Sequence, residues 1–173
     1  ILNCGKAYCN GIGVEKDQKF AFQYFQRAAE LGNIESMFEC ACVLSSGEGA
    51  DVDKVKAASY YKRSADAGFV KSMHNYAHML WKGDGIPVNK QEAALYFKRS
   101  ADCGEKNSMN DYAIMKANGD GIDKDSAEAA RYFKMAADLN CVEAYFNYGR
   151  MLYDGNGVEQ NKPDAARYYR IAA

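Results

Sequence analysis

Two histidines, His74 and His78, stand one helical turn apart and are the only imidazoles in the chain. A pair at that spacing can hold a metal, but a tight site needs a third and a fourth ligand. No HExxH motif supplies them, and the nearest softer donor is Cys42. Cys42 is also the one candidate nucleophile, because an activated thiol needs a histidine beside it. No orienting acid and no oxyanion-binding group accompanies the pair, so no catalytic residue, metal site or cofactor is expected. Gly-x-Gly occurs five times, at Gly11/Gly13, Gly47/Gly49, Gly83/Gly85, Gly119/Gly121 and Gly155/Gly157. A phosphate cradle would add a third glycine or a Lys-Ser/Thr pair. These segments have neither, and Glu48, Asp84 and Asp120 between the glycines would repel an anion.

The six cysteines, Cys4, Cys9, Cys40, Cys42, Cys103 and Cys141, form no CxxC or related metal pair. Scattered free thiols fit a reducing compartment, so the expected location is intracellular and cytoplasmic, with the endoplasmic-reticulum lumen as the alternative. The formal net charge is −1, which leaves no basic surplus for nucleic acid. No window of 18 apolar residues occurs, so no membrane insertion is expected. A 48% hydrophobic share is enough to bury a core, and 15 glycines against 2 prolines suit helices separated by glycine turns.

What positions these residues is a repeat of 36 residues without insertion or deletion. Besides the glycines, three columns are invariant. They run Ala21, Ala57, Ala93, Ala129, Ala165; Tyr24, Tyr60, Tyr96, Tyr132, Tyr168; and Ala29, Ala65, Ala101, Ala137, Ala173. Each repeat reads as two helices. The second starts at an Asp or Asn able to cap free N–H groups: Asp17, Asp53, Asn89, Asp125, Asn161. Three positions later, Glu92, Glu128 and Asp164 follow in the manner of a capping box. Ala57, Tyr60, Tyr61, Ser64 and Ala65 keep helical spacing and predict a buried stripe. The first helix packs through Ser72, Met73, Tyr76, Ala77 and Leu80 and closes at Gly83 in the left-handed conformation. On the second helices Lys62, Lys98 and Lys134 each precede an Asp by four residues, a neutralised solvent face.

This pattern resembles the Sel1-like repeat, a relative of the tetratricopeptide repeat. It is carried by Ala144, Tyr148-Gly149, Leu152 and Gly155-Asn156-Gly157-Val158 in the fifth unit. Asn89, Ala93, Tyr96-Phe97, Ser100-Ala101 and Gly104 carry it in the third. Three departures stand out: Tyr replaces Trp in the second helix, Lys116 takes an apolar place, and Asn140 replaces the loop glycine. The resemblance implies an all-α fold, a right-handed α-solenoid of five Sel1-like repeats. Residues 1–173 form a single array, with units at about 1–32, 33–68, 69–104, 105–140 and 141–173, expected to be a section of a longer protein.

The arc of the first helices opposite their packing side varies from unit to unit, and in such solenoids that arc is concave. It shows Phe38 and Cys42; His74, His78 and Trp81; Asn110 and Ile114; and Phe146, Arg150 and Tyr153. Aromatic, His and Arg side chains on a variable face suit an interaction groove. The expectation is a non-catalytic adaptor or scaffold that binds a protein or peptide partner there. One alternative is a structural spacer in a large multiprotein assembly, such as a cytoskeletal one. A remoter one, implied by cysteine-rich bacterial relatives, is a β-lactam-hydrolase-like activity. Those relatives pair cysteines about eight residues apart, and Cys103 has no such partner.

Overall fold

The structure is a computed structural model that describes residues 1–173. Ten helices and no strands make up the chain. First helices of the repeats are α1 (Leu2–Asn10), α3 (Ile34–Ser46), α5 (Val70–Lys82), α7 (Lys106–Asn118) and α9 (Val142–Asp154). Second helices are α2 (Gln18–Glu30), α4 (Lys54–Asp66), α6 (Lys90–Asp102), α8 (Ser126–Asp138) and α10 (Lys162–Ala172). The chain divides into two compact units, Ile1–Val88 and Asn89–Ala173, the first holding α1 to α5 and the second α6 to α10. Within each unit every helix packs on its neighbours in sequence. No helix is long and apolar enough to cross a membrane.

Local rules explain the helix ends. All five expected N-caps form: the Asp53 carboxylate accepts the Lys56 N–H at 2.9 Å, and Asp125 accepts that of Glu128 at 2.9 Å. Where the cap is Asn, the acid three residues on accepts a hydrogen bond from the cap's own amide, 3.0 Å from Asn89 Nδ2 to Glu92 and 2.8 Å from Asn161 Nδ2 to Asp164. That is a side-chain version of the expected capping box. Gly11, Gly47, Gly83, Gly119 and Gly155 close the first helices in the left-handed conformation. Asn140 has φ 59°, which Asn tolerates better than other side chains, and this is why it can stand for the loop glycine.

From the second repeat on, the second glycine of each Gly-x-Gly does more than reverse the chain. A Cβ on Gly49 would lie 2.5 Å from the Gln18 carbonyl oxygen, and one on Gly85 would overlap Lys54. Gly121 meets Lys90 and Gly157 meets Ser126 in the same way. Each is thus the point where one repeat touches the start of the preceding second helix. Polar pairs flank this contact: Lys54 Nζ reaches Asp84 at 2.9 Å and Lys90 Nζ reaches Asp120 at 2.6 Å.

The buried stripe of α4 is Ala57, Ala58, Tyr61, Ser64 and Ala65. Tyr60, expected in it, is only half-buried, with the Arg63 guanidinium 5.7 Å from its ring centre. The lysine–aspartate ladder forms as spaced: Lys62–Asp66 at 3.5 Å, Lys98–Asp102 at 2.7 Å and Lys134–Asp138 at 2.8 Å. Lys116 remains in its apolar column because Glu128 meets it at 2.9 Å. In the first repeat the same two columns hold Tyr8 and Phe20, stacked at 5.6 Å. An ion pair on one pair of helices therefore occupies the place of an aromatic pair on another.

Candidate functional site

In the first unit the variable face consists of residues from α3 and α5. Phe38 is half-buried, its ring centre 5.9 Å from that of Tyr61 and 5.2 Å from that of Phe69, which caps the next helix. This side chain therefore spends much of its surface on packing between repeats. The Cys42 sulfur lies 3.4 Å from the Tyr61 hydroxyl. Burial pushes the Cys42 thiol up from its ordinary value, and burial likewise pushes the Tyr61 phenol up, so both are neutral at pH 7. A protonated thiol bonded to a phenol is a poor nucleophile. His74 and His78 lie edge to face at 4.6 Å, and the His78 ring is 6.0 Å from Trp81. All three are half-buried on one face of α5, as their i, i+4, i+7 spacing requires.

In the second unit the face belongs to α7 and α9. Asn110 is buried, contrary to its expected role on an open face, and its carbonyl accepts the Asn147 amide at 2.9 Å. Its partner, on the next first helix, takes up the polarity that would otherwise face solvent. Ile114 is half-buried. The α9 trio is the open part: Phe146 is 53% and Tyr153 50% exposed, and Arg150 is exposed beside them. Phe146 leans on Tyr169 at 5.5 Å, and the Lys162 ammonium sits 5.3 Å from the centre of the Tyr153 ring. These contacts hold the rings while leaving about half their surface to solvent.

Sequence reasoning passed over two clefts on these faces. One, of about 300 Å³, lies in the first unit with Ser45, Tyr61, Asn75, His78 and Lys82 among its walls. The other, of about 350 Å³, lies in the second unit with Lys124, Phe133, Arg150 and Asp154. Six of the eight lining positions of each cleft are equivalent, two repeats apart: Tyr61 matches Phe133, His78 matches Arg150, and Met79 matches Met151, whereas Lys54 and Asn75 in the first and Asn118 and Lys124 in the second have no counterpart. The signal was present in the spacing, since each cleft opens where a first helix passes the glycine turn of its neighbour.

The Sel1 repeat family matches residues 1–33, 34–69, 70–105, 106–141 and 142–173, the whole length of the chain. No curated protein matches the sequence. Among solved structures, a Sel1 repeat protein from Oxalobacter formigenes is 25% identical with a TM-score of 0.94, covering 99% of this chain and 70% of its own. A protective antigen of uropathogenic Escherichia coli strains, displaying an SLR fold, is 22% identical with a TM-score of 0.95, covering 99% of this chain and 37% of its own. Helicobacter pylori cysteine-rich protein B is 25% identical with a TM-score of 0.55, covering 72% of this chain and 90% of its own. Ten helices in five such repeats are the all-α solenoid class expected from the sequence. The chain belongs to the Sel1 repeat family, whose members are generally non-catalytic scaffolds that typically mediate protein–protein interaction.

Proposed function

We propose that this chain is a non-catalytic adaptor that binds a protein or peptide partner through the variable face of its first helices. The observation that carries this reading is the α9 trio, where Phe146 and Tyr153 stand about half exposed beside Arg150 on one helix. Large aromatic side chains held in place but left open are costly in water and favourable in an interface, where Tyr, Trp and Arg dominate binding energy. Trp81 with His74 and His78 offers a similar group on α5 in the first unit. The neutral Cys42 thiol, bonded to Tyr61 rather than poised on a base, supports a binding role over covalent catalysis. Six free thiols support a reducing compartment.

Photo-crosslinking side chains placed at Phe146 and at Lys134 test this in the full chain. Capture of the same protein from Phe146, with none from the exposed ladder position Lys134, is expected. Equal capture from both would favour the spacer reading, in which the outer helices make the contacts.

A further inference from the structure

We infer that the two equivalent clefts are receptors for single carboxylate side chains, so that the partner segment is an acidic polypeptide. This rests on the reading that the partner meets the variable face. In the first unit, two cations and one carboxylate line the cleft. Lys54 and Asp84 satisfy each other at 2.9 Å, while Lys82 makes no ion pair; Asn75 and Ser45, in the same lining, hydrogen-bond the Tyr61 hydroxyl. In the second unit, Lys124 and Arg150 face one carboxylate, Asp154, and none of the three is engaged in an ion pair. Each cleft therefore carries one positive charge more than it neutralises.

The residues that supply this surplus are not the same ones. Lys82 occupies the column of Asp154, and His78 that of Arg150, yet both clefts end with the same balance. The scaffold does not impose it. Between the first and second repeats the same columns hold one cation, Lys16, against Glu39 and Glu48, so no positive surplus arises there. A carboxylate fits both clefts better than a phosphate does. One surplus cation balances one negative charge, whereas a dianion would leave a charge uncompensated beside Asp84 or Asp154. Arg150 can take a carboxylate in two parallel hydrogen bonds, and Lys82 can meet one as a point charge.

The test is calorimetric titration of the full chain at low salt with hexaglutamate, hexalysine and a serine-phosphorylated hexapeptide. Hexaglutamate is expected to bind, hexalysine not to, and the phosphopeptide to bind no tighter than hexaglutamate. Lys82→Gln and Arg150→Gln should each weaken hexaglutamate by about twofold to fivefold, as for a modest charge pair. Lys82→Arg should retain binding, and Lys19→Gln, on the exposed face of α2, should change nothing. Thermal unfolding identifies any variant whose fold has suffered, and the Arg replacement then serves in its place. Tighter phosphopeptide binding, or hexaglutamate binding indifferent to both Gln variants, overturns the inference. A partner captured at Phe146 that is equally indifferent to them overturns it too, while leaving the adaptor reading standing. Absence of any capture at Phe146 removes both.

Discussion

Two buried serines show how much turns on one hydroxyl. Ser72 donates to Ser64 at 2.8 Å, and the Ser64 hydroxyl in turn donates to the Ile34 carbonyl at 3.0 Å. Ser108 and Ser100 repeat the pair in the second unit, also at 2.8 Å. One repeat earlier, Ala28 stands at the position of Ser64, so the buried Ser36 hydroxyl has no partner. Ser64→Ala leaves a buried donor unmatched and should cost about 1–3 kcal/mol in urea unfolding. Ser36→Ala removes an unmatched hydroxyl and should cost nothing or stabilise slightly. Equal losses from both would show that the paired serines contribute nothing as a pair. The thiols give a second graded expectation at this scale. Cys4 and Cys103 are exposed, while Cys40 and Cys141 are buried and burial pushes the Cys40 thiol up to about 12. A thiol reagent at pH 7 should modify Cys4 and Cys103 first and Cys40 and Cys141 only on unfolding, reaching all six without reductant. A total below six would mean that some of the sulfurs are bridged.

At the scale of the element, the two glycines of each turn separate into different roles. Gly13 and Gly121 have nearly the same φ, 73° and 78°, but nothing lies within 4 Å of a Cβ on Gly13, whereas one on Gly121 would overlap Lys90. Gly13→Ala should therefore cost only the left-handed conformation, about 1–2 kcal/mol. Gly121→Ala should cost a further 1–3 kcal/mol or so by forcing two repeats apart. Identical losses, measured by thermal unfolding, would contradict the contact. Caps and first glycines were legible in the sequence because they obey rules confined to a few residues. The second glycine was not, because its partner lies 31 positions away in an element that only the fold brings near. Lys116 was visible as an anomaly and its remedy was not, since nothing in the spacing marks Glu128 as the group across from it. Asn110 and Phe38 failed as simple surface residues for the same reason: Asn147 and Phe69 come from the next repeat.

At the scale of the whole molecule, five repetitions of one helix pair leave the packing columns fixed and the opposite arc free to vary. That division lets the array keep its fold while its recognition chemistry changes. Burial follows it: Ala57, Ala93, Ala129 and Ala165 are all 0% exposed, whereas Phe146 and Tyr153 remain half open. The repeats match throughout, and the fold is shared with bacterial proteins at 22% and 25% identity, so the framework tolerates wide change outside those columns. The central claim is that the α9 and α5 aromatic groups bind a partner and do not merely hold repeats together. The direct measurement compares Phe146→Ala and Trp81→Ala with the unaltered chain for affinity to the protein captured at Phe146, alongside thermal unfolding of each. A loss of about 2 kcal/mol in binding is expected for Phe146→Ala, with the unfolding midpoint kept. Unchanged affinity in a folded variant, or a fall in stability with no separate effect on affinity, would contradict it.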